Sequence, residues 1–478
     1  MNSGLPRTTM SNVCSSTVAA DLCVGCGVCA GICPTKNLSM KWTRYGLLQP
    51  YDEGKCLPSC RLCLDVCPFW DHTLVEDTIG ADLFSLVGGN DHTVETGYLL
   101  GSWVGYAQGG YRERGASGGL ASWFLARLIE AKTVDHVICV RSKEDAECLF
   151  EFTVLSTVEE VNAAAKSAYY PVELSEVLHY VMKNEGKYAI IALPCFVKAI
   201  RLASARIPLL KRRIVILAGL VCGQTKSKLF TEYLIHHMGL NPKEVTRLNF
   251  RSKNPNRPAG NFEMRARTRK GVEGVCVWGG LYTKTWCSGM FSPRACAFCD
   301  DVFAELSDIC FMDAWLPQYV GDSRGTSLVL TRSVEAERIL SRGVAENAIT
   351  LNIVAVDQIR QSQEAVSEWK RRDLAWRLWL EKNSGRPVPG KRVRRQRPPV
   401  WHAMRLRLRE NLRRFSFAAW PTGGEFGCDT YKSAFKAIRL RLRIYLLYLS
   451  LPGWGARIQR FPFWLIKKLW VAGLVIIS

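Results

Sequence analysis

Two cysteine runs constrain this chain more than any other feature. The first reads Cys23-Val-Gly-Cys26-Gly-Val-Cys29-Ala-Gly-Ile-Cys33-Pro34 and the second Cys56-Leu-Pro-Ser-Cys60-Arg-Leu-Cys63-Leu-Asp-Val-Cys67-Pro68. Three cysteines at spacing two, a fourth after three more residues and then proline is the spacing of paired 4Fe–4S clusters, where the fourth cysteine ligates the other cluster. A short loop must curl three thiolates around one cube, and Gly25 and Gly27 let the backbone come close. The spacing assigns Cys23, Cys26, Cys29 and Cys67 to one cluster, and Cys56, Cys60, Cys63 and Cys33 to a second. Two zinc sites would pair Cys-x2-Cys units across a longer gap. A disulfide framework belongs to exported chains, and residues 1–21 have no apolar export segment. Cys56 stands three residues rather than two before Cys60, so it is the least regular ligand, with Cys14 as a remote substitute.

With 478 residues, two or three domains are expected. Nineteen cysteines without an export signal imply metal ligands or buried thiols in a reducing compartment. The net charge of +21 is unevenly placed: residues 391–478 hold 19 Lys and Arg against 3 Asp and Glu. The basic character belongs to the tail and says nothing about substrate in the remaining body.

Residues 1–72 read as a ferredoxin-like module with short strands at Leu38–Trp42 and from Gly46. Residues 73–98 read as a linker. Leu120 to Lys132 has helical periodicity. Strands at Val134–Val140, Tyr188–Leu193 and Ile214–Cys222 alternate with helices at Glu173–Asn184, Phe196–Ala203 and Lys226–His237. That alternation predicts a parallel sheet with helices on its faces. Residues 245–285 are more strand-like, and Leu328–Thr331 and Val334–Arg342 return to the α/β layer. Residues 381–400 are a basic, proline-rich linker and 401–478 a mainly helical, amphipathic basic tail. The fold class expected is α+β to α/β: a two-cluster module, an α/β domain over 99–380, and the tail.

Cys195 and Cys222 end two predicted strands, where an open parallel sheet has its ligand crevice. Cys296-Ala-Phe-Cys299 adds a chelating pair. Together the four can hold a third cluster. Buried apolar thiols and a zinc knuckle of Cys287, Cys296, Cys299 and Cys310 are the alternatives. The turn Arg114-Gly115-Ala116-Ser117-Gly118-Gly119 offers backbone N–H groups at a helix start, where a phosphate would sit, or is an ordinary loop. Ser167 and Tyr169 offer hydroxyls and an aromatic face.

The ordered set of these features is similar to the coenzyme F420 hydrogenase/dehydrogenase beta-subunit family over about residues 20–335. Besides the cysteines it comprises Arg114-x2-Ser117-Gly-Gly119, Ser167-x-Tyr169, Leu193-Pro-Cys195, Val221-Cys222-Gly223, Asn249-Phe-Arg251 and Cys296-x2-Cys299. The resemblance implies an FAD domain fed by iron–sulfur clusters, with Arg114, Gly115, Ser117, Gly118, Gly119, Ser167 and Tyr169 near flavin or substrate. It favours the third cluster at Cys195, Cys222, Cys296 and Cys299. Phe196 and Met312-Asp313 depart from the family pattern of Pro-Cys-Gln and Gly-Asp.

The tail mixes bases with aromatic and aliphatic residues, as in Arg439-Leu-Arg-Leu-Arg-Ile-Tyr-Leu-Leu-Tyr-Leu and the run from Phe461. Lys467 and Lys468 interrupt the last run, so a segment lying on an anionic membrane fits better than a span. A helical cap packed on the core is the alternative, and a nucleic-acid-binding arm is disfavoured by the apolar content.

The expected protein is a cytoplasmic iron–sulfur flavoprotein oxidoreductase, peripheral on the inner face of the cell membrane. It takes electrons from ferredoxin or another redox protein and passes them through 4Fe–4S clusters to FAD. From FAD they go to an organic small molecule or to the deazaflavin coenzyme F420. The alternative is a relay subunit with no substrate of its own.

Overall fold

The computed structural model describes residues 12–71, 74–89, 91–421 and 429–450. Its centre is an eight-stranded sheet. Across the sheet the strands run Ile349–Ile353, Gly101–Ala107, Ser327–Thr331, Ile309–Asp313, Ile214–Leu220, Tyr188–Ala192, His136–Ser142 and Phe150–Leu155. The four strands from Ile309–Asp313 to His136–Ser142 are mutually parallel, and antiparallel strands flank them on both sides. The parallel strands are near-continuous apolar runs because both faces are covered. Val137, Ile191, Ile216 and Phe311 pack against the helices Leu120–Glu130 and Val334–Ala345. Ile138, Ile190 and Leu217 face the other way, onto the helices Ser175–Lys183 and Pro194–Arg206. Pro194 opens its helix at a position where the missing N–H costs nothing.

The N-terminal module docks on that second face. Its strands Leu38–Trp42 and Leu48–Asp52 pair antiparallel. Val28, Ile32 and Val66 share a core with Leu178 and Val197. An antiparallel meander, Val245–Ser252, Glu263–Thr268 and Glu273–Val277, builds a second core with the helix Lys228–His237.

Three stretches read from sequence as linkers or tail are packed instead. Within 73–98 lie a helix, Glu76–Phe84, and a strand pair, Asp91–Thr93 with Gly97–Leu99. Ile79, Phe84 and Leu99 are buried there, and Glu76 pairs with Lys198 at 3.1 Å, both side chains almost fully enclosed. The basic stretch 381–400 is held by Lys391 on Asp300 and Arg392 on Glu305. The tail forms two antiparallel helices, Val400–Ala419 and Asp429–Ser450, with Trp401 stacked on Tyr448 at 4.0 Å between ring centres. Leu412, Phe417, Tyr431, Ile438, Leu442 and Tyr445 join the meander core, so this part is a helical cap. Two arginines of the first helix point inward, Arg405 to Asp373 at 2.6 Å and Arg409 over the Trp369 ring, while Arg407 and Arg414 are exposed. The run from Phe461 lies outside the described residues. No helix among the described residues is long and apolar enough to cross a membrane.

Candidate functional site

The two cysteine runs fold as loops around short helices, Val28–Gly31 and Leu62–Asp65. Gly25 and Gly27 take left-handed φ of 77° and 76°. A Cβ at Gly25 would strike the Leu48 carbonyl, and one at Gly27 the Glu173 carboxylate and the Leu174 backbone, so only glycine fits either place. The neighbours of each thiol follow the crossed pattern. Burial pushes Cys23 and Cys29 well up and Cys26 up to about 12; the charges of these thiols on one another and of Cys67 of the second run add to this, with smaller contributions from Cys14, Glu173 and Cys63. Cys63 is pushed up to about 11 by burial and then by Cys56, Cys60 and Cys33. Cys33, Cys56, Cys60 and Cys63 together line one cavity of about 340 Å³, its open mouth included. Cys14 stands beside this group, its thiol donating to the Pro50 carbonyl at 3.3 Å.

The other four cysteines also converge. Cys195 and Cys222 follow the C-terminal ends of the adjacent parallel strands Tyr188–Ala192 and Ile214–Leu220. Cys296 and Cys299 come from the turn at Arg294–Phe298. Burial raises Cys195, and then the charges of Cys299, Cys222, Cys296 and Cys26 add to it. Cys222 is pushed up to about 12 by burial, against Lys370, which lowers it. The Thr225 amide donates to Cys296 Sγ at 3.3 Å, and Lys370 Nζ to Cys299 Sγ at 3.0 Å. Cys26 thus links this group to the first loop, and Cys67 packs in the same apolar patch as Cys195 and Cys299. Cys287 is exposed, and Cys310 sits on the strand Ile309–Asp313 with its core neighbours, so the zinc knuckle is not assembled. Among the described residues no three His, Cys, Asp or Glu side chains close on a single ion. A tetrahedral zinc would draw its sulfurs to about 2.3 Å from one point.

A second cavity, about 270 Å³, opens where the strand Ile309–Asp313 ends. Ser117, Arg251, Lys253, Asp313, Trp315 and Tyr319 are among its walls. Phe311 pairs with Leu220, so Asp313 ends one strand and Cys222 follows the end of the parallel strand beside it. Arg251 grips Asp313 with two hydrogen bonds and lies over the Phe262 ring at 4.6 Å. The glycine-rich turn closes one wall. Gly119 has φ 78°, and a Cβ there would run into the Tyr111 backbone. The Gly118 amide is taken by Ser327 Oγ at 3.1 Å, the Gly115 amide by the Tyr111 carbonyl at 2.9 Å, and Ser117 Oγ donates to the Thr326 carbonyl. Two of the turn's expected free N–H groups are therefore already used. Lys253 Nζ ties the turn down through the Arg112 and Ser117 carbonyls. Burial first, and then the charges of Lys166, Arg251 and Arg112, push Lys253 down to about 7.

Of the sequence candidates, Ser117 lines the cavity, and Gly115, Gly118 and Gly119 shape its wall. Tyr169 is half-buried against Trp286 at 4.6 Å, with Arg251 and Ser167 beside its hydroxyl. Arg114 is exposed and donates outward to the Gly109 carbonyl. Its neighbour Arg112 is the buried one, bonded to Gly325 O at 2.8 Å and to Asp322. Lys253, Trp315 and Tyr319 carried no spacing signal. Arg251 and Asp313 stood inside motifs but had no role until the fold joined them.

Two domains described under coenzyme F420 hydrogenase/dehydrogenase, beta subunit, match the chain: the N-terminal one over residues 103–179 and the C-terminal one over residues 185–356. A 4Fe-4S dicluster domain matches residues 22–70. A protein of Methanosarcina mazei, one of the subunits of an F(420)H(2) dehydrogenase, is 20% identical over 245 residues. That match covers 49% of this chain and 64% of the relative, just under two thirds of its length. A chain of the F420-reducing [NiFe] hydrogenase complex from Methanosarcina barkeri is 16% identical, covering 63% of this chain and 98% of that one, with a TM-score of 0.48. The ordered cysteines and the matched domains lead to one assignment: the chain belongs to the coenzyme F420 hydrogenase/dehydrogenase beta-subunit family, an oxidoreductase family, and carries an iron–sulfur electron-transfer domain at its N-terminal side.

Proposed function

We propose that this chain is an iron–sulfur flavoprotein oxidoreductase with three 4Fe–4S sites and an FAD or deazaflavin site in the Arg251–Asp313 cavity. One observation carries the reading. Cys195 feels the charges of Cys299, Cys222, Cys296 and, from the first loop, Cys26, while Cys222 and the cavity residue Asp313 both stand at the C-terminal ends of adjacent parallel strands. Bound clusters would pass electrons singly, and a bound flavin would collect them and release them in pairs to an organic substrate. The protein's own side chains bind and orient. Cys56 and Cys60 sit beside the exposed Leu57, at the end where ferredoxin or another redox protein would deliver electrons. The crowd of Arg112, Lys166, Arg251 and Lys253 suits the phosphates of a flavin or a carboxylate of the substrate.

Anaerobic purification followed by iron, acid-labile sulfide and flavin analysis tests this. Iron and sulfide for three clusters with one flavin per chain are expected, together with bleaching of that flavin by reduced ferredoxin. Clusters without flavin would favour the second reading, a relay subunit. The Methanosarcina mazei relative, itself a subunit of a dehydrogenase, supports that alternative.

The cytoplasmic, membrane-peripheral reading rests on the second tail helix. Leu440 and Ile444 are exposed one helical turn apart on the same face as Lys436 and Arg443. Such a face suits an anionic bilayer surface.

A further inference from the structure

Lys370 ends the helix Glu364–Lys370, beyond the stretch matched by the family domains. It is 1% exposed. Its ammonium donates to Cys299 Sγ at 3.0 Å and to the Asp301 carbonyl at 2.7 Å. Enclosing a charge costs several kcal/mol after relaxation, and one neutral carbonyl does not offset that. An anion must be close.

The nearby carboxylates have other partners. Asp300 is held by Lys391 at 3.0 Å and by Arg392. Glu305 is held by Arg371 and Arg392, and Glu76 by Lys198. The Asp301 carboxyl takes the Glu305 amide at 3.0 Å. Among the described residues no carboxylate stands within ion-pair distance of Lys370 Nζ. The anion left for it is the sulfur of Cys299. The elements around it repeat this design. Arg377 donates to the Ala297 carbonyl at 2.7 Å, and Arg294 pairs with Glu381 at 2.7 Å, so the helices over 364–383 are clamped onto the turn that carries Cys296 and Cys299.

We propose that Lys370 is a positioning residue that compensates the charge of the Cys195–Cys222–Cys296–Cys299 site and raises the reduction potential of the cluster held there. The proposal rests on the reading that these four cysteines hold a cluster. Net charge, hydrogen bonds to the sulfurs and burial set such potentials. Reduction adds one electron and makes the site more negative. A fixed cation 3.0 Å from one sulfur, enclosed where screening is weak, stabilises the reduced form more than the oxidised one. An electron arriving through the Cys26 loop then meets a site whose reduced form the cation stabilises.

The test is a potentiometric titration of the full-length, anaerobically reconstituted chain followed by electron paramagnetic resonance. Wild type is compared with Lys370→Arg, Lys370→Gln and Lys370→Met. Gln keeps a donor without charge, and Met removes both without leaving a polar group buried. Iron and sulfide are measured on each. In the uncharged variants one cluster of three is expected to titrate at a lower midpoint potential, the other two staying in place, while Arg stays near wild type. Either uncharged variant with full iron decides the matter if the other fails to fold. Unmoved potentials in a fully loaded Gln or Met chain overturn the proposal. A wild-type chain with two clusters, unchanged by Cys195→Ala, overturns the third site itself, which is a distinct result.

Discussion

Arg251 and Asp313 meet through two parallel hydrogen bonds, Nη1 to Oδ2 at 2.7 Å and Nη2 to Oδ1 at 3.0 Å, with Arg251 almost wholly enclosed. The planar guanidinium and the planar carboxylate match, and an ammonium cannot reproduce the match. Asp313→Asn leaves a buried cation without its counter-charge and is expected to cost about 3–5 kcal/mol of stability. Arg251→Lys is expected to cost less and to lose flavin binding. Thermal unfolding and flavin titration of the two variants separate these outcomes.

The crossed cysteine pattern makes a pairing prediction. Cys26→Ala and Cys67→Ala come from different runs but should remove the same cluster and leave the other in place, because Cys67 neighbours Cys23, Cys26 and Cys29. Cys33→Ala should match Cys63→Ala. Spectra grouped by run rather than by this crossing would refute the assignment, and so would zinc without acid-labile sulfide.

Lys253 gives the cavity a pH dependence. Its folded pKa is pushed down to about 7 from 10.5, so the unfolded chain binds the extra proton more readily between those values. Stability from this residue therefore rises as pH climbs from about 7 toward 10.5, and is lowest below 7, where both states are protonated. Anion binding runs the opposite way. An anionic ligand should bind more weakly as Lys253 loses its proton through pH 7, and Lys253→Met should bind weakly with a flattened profile. Both are read by calorimetric titration from pH 6 to 9. The neutral amine can still donate to Arg112 O and Ser117 O, so the turn itself should hold across this range.

For the tail, liposome flotation with anionic vesicles should carry full-length protein, and salt should weaken binding without abolishing it. Replacing Leu440 and Ile444 with Glu should leave the protein folded, since these side chains face outward. It should also stop flotation. Equal flotation of the variant would leave the helix as a cap alone.

Local chemistry was legible in the sequence. Ligand spacing within a loop is a short-range property, so the candidate cysteine sets could be listed from the sequence, and the fold sets Cys67 of the second run beside Cys23, Cys26 and Cys29. The strands at Tyr188–Ala192 and Ile214–Leu220 announced themselves as apolar runs. Long-range charge pairing was not legible. Glu76 finds Lys198 across more than a hundred residues, which turned an apparent linker into a packed helix. Arg405 and Arg409 looked like membrane-facing bases until Asp373 and Trp369 were seen to receive them. At the turn Arg114–Gly119 the sequence singled out Arg114, while the arginine that turns inward is Arg112, held by Asp322 and Gly325 some two hundred positions later.

The clamp over the Cys296–Cys299 turn also sets an order in time. A chain emerging from its N-terminal side completes Cys195, Cys222, Cys296 and Cys299 before Lys370, Arg377, Lys391 and Arg392 have been added. For the span of about seventy residues between Cys299 and Lys370, the four thiols exist without the cations and helices that later enclose them. Loading iron and sulfide in that interval meets an open pocket; loading afterwards must first pry apart a sealed one.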